Sequence, residues 1–196
     1  MDRKFDTIIV IPTYNEVRNI ERLISQILYL QPEFDILIVD DDSPDGTGRL
    51  VDELSEKYDR IKILHRSKKS GLGTAYIDGF RYVLSQNPPY ERIIQMDADF
   101  SHHPQYLDSL LKATQDKDFS IGSRYVPGGA FLEWRIDRIM LSYTANLLVR
   151  FWLGLKVKDC TGGFRCFSRK VLNAIQLGTI KAKGYLFQIE VLSRCL

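Results

Sequence analysis

Thr7-Ile8-Ile9-Val10-Ile11, running straight into Pro12-Thr13-Tyr14-Asn15-Glu16, is the stretch on which the fold turns. The run is too short for a helix, and it lacks the apolar–polar alternation that one solvated face would impose. It suits a strand covered on both faces, as in a parallel sheet. The pattern recurs at Ile36–Val39, Ile61–Leu64 and Arg92–Met96, with Phe119–Gly122 as a fifth candidate. Between these runs the apolar residues fall at helical spacing: Ile20, Leu23, Ile24, Ile27 and Leu28, then Leu50, Val51, Leu54 and Tyr58, then Tyr76, Phe80, Val83 and Leu84. Strand and helix in alternation predict βαβ units joined right-handed into an α/β fold, an open, mostly parallel sheet flanked by helices. Further on, Gly128-Gly129 leads to a helix from about Asp137, and Gly184–Leu196 reads as another.

The 196 residues suffice for one α/β domain with a substantial core. Apolar residues make up 44% and charged residues 27%, the balance of a soluble globular protein. A net charge of +2 is too near neutral to argue for a nucleic-acid partner. The three cysteines, Cys160, Cys166 and Cys195, have no C-x-x-C spacing, which argues against a disulfide framework or structural zinc and for a reducing compartment. No run reaches the roughly 18–20 uncharged apolar residues of a membrane span; Ile139–Leu155 comes nearest, and Arg150 interrupts it. The expectation is a single domain over 1–196, truncated at its C-terminus, since the last helical pattern stops without a cap.

In open α/β sheets ligands bind outside the carboxyl ends of the strands. After the first strand comes Pro12–Glu16, after the second Asp40-Asp41-Asp42-Ser43-Pro44-Asp45-Gly46-Thr47, after the fourth Asp97-Ala98-Asp99-Phe100-Ser101-His102-His103-Pro104, and after the fifth Ser123-Arg124-Tyr125. Acids from three separate segments thus meet on one rim. Two carboxylates about 4 Å apart repel by roughly 4 kcal/mol at an effective dielectric of about 20, so such a cluster calls for protons, donors or a cation. Asp97 and Asp99, at i and i+2 on an extended strand end, face the same side and offer hard oxygen ligands to Mg2+ or Mn2+. The competing reading is that they cap the helix beginning near Pro104. Ser-Pro-Asp-Gly after Asp42 is turn chemistry, with one aspartate, Asp41, aimed at the ligand. His102 and His103 shape the turn behind the metal site and receive no catalytic role. Gly71-Leu72-Gly73 lacks a phosphate-loop pattern and reads as a tight helix start under the nucleotide site.

These stretches, with Gly71-Leu72-Gly73-Thr74-Ala75-Tyr76, Gly122-Ser123-Arg124-Tyr125, Asp159-Cys160-Thr161-Gly162-Gly163-Phe164-Arg165 and Gly184-Tyr185-Leu186-Phe187-Gln188-Ile189-Glu190, make the chain resemble the polyprenol-phosphate (dolichol-phosphate) mannose synthases, inverting glycosyltransferases of GT-A fold. Each stretch is weak alone; together, in family order along nearly the whole chain, they are specific. The resemblance implies transfer of mannose from GDP-mannose to a polyprenyl or dolichyl monophosphate, at the cytoplasmic face of a membrane. It implies a nucleotide-sugar pocket of Pro12, Tyr14, Glu16, Val39, Asp41, Asp97, Ala98, Asp99 and Arg124. Asp97 and Asp99 would hold the divalent ion, with Ser101 a weaker carry-over, and Asp99, Arg124 and Arg138 would serve catalysis. Relatives continue past this C-terminus with further basic residues.

The chemistry asked of these residues is modest. A lipid monophosphate, with its second pKa near about 6, is largely dianionic at neutral pH and needs no strong general base. Arginines hold it beside another anion by paired, charge-assisted hydrogen bonds, the task of Arg124 and Arg138. Phe131, Trp134, Ile139, Met140, Leu141, Tyr143, Leu147, Leu148, Phe151 and Trp152 crowd one region, either as core or as a surface for a membrane interface. The rival functions are a UDP-glucose-dependent enzyme of the same fold and a non-catalytic nucleotide-sugar-binding fragment. A receiver domain also gathers acids at strand ends, but it has no use for Thr161–Phe164 or Tyr185–Glu190.

Overall fold

A computed structural model describes residues 6–129 and 135–196. The sheet comprises β1 (Thr7–Thr13), β2 (Phe34–Asp40), β3 (Ile61–His65), β4 (Arg92–Gln95), β5 (Phe119–Ile121) and β6 (Arg165–Ser168), in the order β3-β2-β1-β4-β6-β5. The pairs among β1 to β4 are parallel, whereas β6 runs antiparallel to both β4 and β5. The five expected strands are present, and β6 is an addition to them. Only four residues long, it places Arg165 inside the protein where alternation would put an apolar side chain.

The consecutive apolar runs split between the two faces as the period of two requires. Ile9, Ile11, Ile36, Ile38 and Ile94 pack on one side beneath α1 (Ile20–Leu30), α2 (Thr47–Lys57) and α4 (Leu107–Lys112). Ile8, Val10, Leu37, Val39 and Ile93 pack on the other beneath α3 (Leu72–Leu84), α6 (Arg169–Ala174) and α7 (Tyr185–Cys195). Burial on both faces is why these strands show no polar alternation.

Strand register fixes the rim. Thr13 pairs with Asp40, Val10 with Gln95, and Gln95 with Arg165, which in turn faces Ile121. Because β6 is reversed, the segment before it, Asp159–Phe164, comes to the same edge as the segments after β1, β2, β4 and β5. Residues 122–164 leave and re-enter the sheet together, joined where the Gly122 amide donates to the Phe164 carbonyl at 2.8 Å.

That excursion carries α5 (Ile136–Leu153), whose packing is inverted. Its inward contacts are polar: Asn146, 3% exposed, donates to the Ser142 carbonyl and accepts from the Cys160 amide at 2.7 Å, while the Ser142 and Tyr125 hydroxyls lie 2.7 Å apart. Phe151 and Trp152 are 82% and 80% exposed, with Met140, Leu141 and Tyr143 also outward. The aromatic stretch is therefore largely surface rather than core. Its members Phe131 and Trp134 lie outside the described residues. No helix among the described residues is long and apolar enough to cross a membrane. Cys160 and Cys166 are buried and, like Cys195, free thiols.

Candidate functional site

Residues from three of these rim segments, after β1, β2 and β4, join the stretch after β3 around a cavity of about 300 Å3 lined by Pro12, Thr13, Tyr14, Glu16, Asp41, Lys69, Gly71, Leu72, Ala75, Asp97, Ala98 and Asp99. Of the expected pocket residues, Pro12, Tyr14, Glu16, Asp41, Asp97, Ala98 and Asp99 border it. Val39 does not: it is fully buried, and its Cγ2 lies 3.0 Å from where a Cβ on Gly79 would stand. Arg124 stands apart from the cavity. Arg138 falls within α5, but its side chain lies outside what the structure describes.

The acids on the rim divide by what already holds them. Asp40 is buried and accepts from the Thr13 and Ser43 hydroxyls at 2.9 and 2.6 Å, so it braces the turn. Asp41, the expected ligand contact, is also buried; the Arg66 guanidinium binds one of its oxygens and the Ser70 and Gly71 amides the other. Arg66 in turn reaches Asp78 and Thr74, tying β3 to α3. Asp41 thus spends most of its acceptor capacity on the protein.

Asp97 and Asp99 differ. Strand β4 ends at Gln95, so both lie in the bend beyond it. Asp97 Oδ1 accepts from the Tyr76 hydroxyl at 2.6 Å, and Asp99 Oδ1 from the Ser101 amide at 3.0 Å. Among the described residues neither is paired with lysine or arginine. Nor do they cap the next helix, because His103 does that, accepting from the Gln105 amide. Two carboxylates without a cationic partner, facing one cavity, fit a hard divalent ion. Among the described residues no group of three or more His, Cys, Asp or Glu could hold one, so phosphate and water oxygens would have to complete its shell. Lys69, the cavity's lysine, sits 3.7 Å above the Tyr14 ring rather than on a carboxylate.

His102 lies behind this pair. Its Nδ1 accepts the Asp97 amide at 3.0 Å, and its ring stacks on Phe164 with centroids 5.1 Å apart. Burial lowers its pKa against the pull of Asp97 and Asp99, so the ring is neutral and its proton is on Nε2. The Arg124 side chain, on the other side, makes a two-pronged ion pair with Asp159, Nε and Nη2 each 2.8 Å from a carboxylate oxygen. Burial raises the Asp159 pKa, but Arg124 more than offsets this and holds it below the ordinary carboxylate value. Arg165, fully buried, donates to the carbonyls of Gly162, Gln188 and Cys160; burial lowers its pKa to about 10, which leaves it cationic at neutral pH. A second, open pocket of about 440 Å3 flanks the Asp40–Gly46 turn, but its histidine, His65, is already paired with Asp52 at 2.9 Å.

The sequence alone did not single out Arg66, Lys69, Tyr76 or Asp159 individually. Tyr76 fell among the apolar positions of a helix, and nothing local marks its hydroxyl as reaching an acid beyond the next strand.

A mostly parallel sheet with an acid pair beyond β4, on the ligand-bearing rim, is the arrangement of the GT-A fold. Solved structures share the fold: a Pyrobaculum calidifontis mannosyltransferase, PcManGT, in complex with GDP-Man and Mn2+ (TM-score 0.58, 18% identity, 87% of this chain and 46% of that one). Another is S. aureus TarS 1-349 in complex with UDP-GlcNAc (TM-score 0.60, 17% identity, 95% and 53%). The chain therefore spans about half the length of those structures.

Within that class, the chain belongs to glycosyl transferase family 2, which it matches over residues 8–176. It is 45% identical over 192 residues to the polyprenol monophosphomannose synthase of Mycolicibacterium smegmatis, covering 97% of this chain and 72% of the relative. It is 43% identical over 185 residues to the undecaprenyl-phosphate mannosyltransferase of Micrococcus luteus, covering 94% and 75%.

Proposed function

We propose that the chain transfers mannose from GDP-mannose to a polyprenyl monophosphate with inversion, using Mg2+ or Mn2+ held by Asp97 and Asp99. The observation that carries this is the cavity that those two carboxylates, without a lysine or arginine partner among the described residues, line together with Tyr14 and Glu16. The names of the two relatives support the mannosyl donor and the polyprenyl acceptor. When bound, the divalent ion neutralises charge developing on the departing nucleoside diphosphate.

The chain's own residues do the rest. Tyr14 and Pro12 border the nucleotide, and Asp41, locked by Arg66 and two loop amides, offers its remaining lone pair there. Arg124, held in orientation by Asp159, takes the phosphate side, with Arg138 a second candidate. No side chain is needed to deprotonate the acceptor, and neutral His102, its Nδ1 already occupied, is not asked to.

The acceptor's lipid explains the inverted α5. A helix that turns polar residues inward and Phe151 and Trp152 outward presents an apolar patch suited to a membrane interface. On that basis the protein is assigned to a membrane surface, at the cytoplasmic face that the family resemblance implies.

Calorimetric titration with GDP-mannose and with UDP-glucose, each with and without Mn2+, tests the donor. GDP-mannose should bind more tightly, and Mn2+ should strengthen it. Tighter binding of UDP-glucose would move the chain to glucosyl transfer; binding of either nucleotide indifferent to Mn2+ would remove the metal from the scheme.

A further inference from the structure

Three of the stretches that carry the family resemblance converge behind Asp97. Tyr76, from Gly71–Tyr76, is wholly buried, and its hydroxyl is 2.6 Å from Asp97 Oδ1. Its ring stacks on Phe80 at 5.8 Å and on Phe187, from Gly184–Glu190, at 6.1 Å and 3°. A Cβ on Gly73 would stand 2.9 Å from the Phe187 ring, so only glycine lets α7 approach this closely. On the other side, a Cβ on Gly163, from Asp159–Arg165, would lie 3.2 Å from both Asp97 Oδ2 and His102 Cε1. His102 accepts the Asp97 amide, and Phe164 supports His102 from beneath.

We infer that Tyr76 is a positioning residue for the cation: its hydroxyl, fixed by the Phe80 and Phe187 rings, clamps Asp97 Oδ1 and holds the carboxylate in one orientation, with Oδ2 left out of that bond for the ion. The inference rests on the metal reading above. A carboxylate on a two-bond side chain rotates unless something holds one oxygen. A hydroxyl at this distance makes a strong charge-assisted bond to it. Removing such a supporting partner typically weakens metal binding about 10- to 100-fold while leaving the ligand itself in place. The glycine at 163 does the complementary task, leaving clear the space 3.2 Å from Oδ2 that a Cβ there would fill.

The test is Mn2+ titration in the presence of saturating GDP, read by calorimetry and by the Mn2+ electron paramagnetic resonance signal, on wild type, Tyr76→Phe, Gly163→Ala and Asp99→Ala. Tyr76→Phe retains the ring and its stacking, so the protein should still unfold cooperatively in urea without metal, its midpoint lowered only by loss of the hydroxyl's bond to Asp97. Its Mn2+ affinity should fall about 10- to 100-fold, with GDP binding in the absence of metal unchanged. In transfer assays the Mn2+ concentration for half-maximal rate should rise by the same factor, and the rate should recover at high Mn2+. Gly163→Ala, which leaves the aromatic stack untouched, should weaken Mn2+ in the same direction. Equal Mn2+ affinity in wild type and Tyr76→Phe would overturn the inference. If wild type and Asp99→Ala bind Mn2+ alike, the metal assignment fails first and takes this inference with it.

Discussion

Replacing Asp159 by alanine removes a carboxylate that has no solvent exposure and that grips Arg124 through two 2.8 Å bonds from the guanidinium and a 3.2 Å bond from the Arg124 amide. Breaking a buried ion pair by deleting one partner costs about 3–5 kcal/mol. Arg124 keeps 23% side-chain exposure and a 3.0 Å bond to Thr161, which places Asp159→Ala near the lower end, about 3 kcal/mol. Arg124→Met is the harsher change, because it strands a charge that water cannot reach; about 4–5 kcal/mol is expected. The double variant Arg124→Met/Asp159→Leu puts apolar groups in both places and should cost no more than either single change. Urea unfolding with linear extrapolation measures all three, with an unchanged slope required for the comparison. Arg124 holds the Asp159 pKa below the ordinary value. The folded state therefore sheds this proton more readily than the unfolded chain, and the stabilisation is complete above about pH 4. It fades as acid carries the pH down through the folded value, so the gap between wild type and Asp159→Ala should narrow there. Additive costs in the double variant would refute the reasoning, since independent residues add and coupled ones do not.

Asp99→Ala should fold as well as wild type, because it removes an exposed like charge from the rim, and should lose metal-dependent transfer; full activity would remove Asp99 from the metal site. His102 has a folded pKa below its unfolded value, so the unfolded state takes up the proton first. Stability should be complete above about pH 6.5 and decline below it, and His102→Gln should lack that part of the decline in urea titrations from pH 8 to pH 5.5. Phe151→Ser/Trp152→Ser should leave the unfolding midpoint within about 0.5 kcal/mol of wild type, as surface changes do, yet reduce co-flotation with vesicles carrying polyprenyl phosphate; undiminished flotation would detach α5 from the membrane.

The parallel half of the sheet was legible because each strand there carries its own signal. Thr7–Ile11 and Ile36–Val39 are buried on both faces, and a continuous apolar run records that directly. Strand β6 left no such record, for its four residues include a guanidinium satisfied by carbonyls from distant turns. The rim residues were legible through topology. Parallel strands deliver their C-terminal loops to one edge, and this brought Pro12, Tyr14, Glu16, Asp41, Asp97 and Asp99 to one cavity. The part each acid plays there was not legible. Asp41 and Asp97 look alike in sequence, yet one is occupied by Arg66 and the other is braced by Tyr76 with an oxygen to spare. Such differences depend on partners that arrive from other elements, and local pattern carries no trace of them.

The hydrogen bond between Gly122 and Phe164 has a consequence for how this protein is altered. It pinches the whole stretch from β5 to β6 into a side branch whose two stems are neighbours, so a replacement branch need only match a narrow gap, and lengthening it adds little closure entropy. An exchange that keeps Arg124 and Asp159–Phe164, which hold the Arg124 ion pair and back the Asp97–His102 corner, would leave the parallel strands in place. On the proposed function, the lipid-facing helix thus sits on a graftable limb, whereas the metal-binding pair is woven into the trunk.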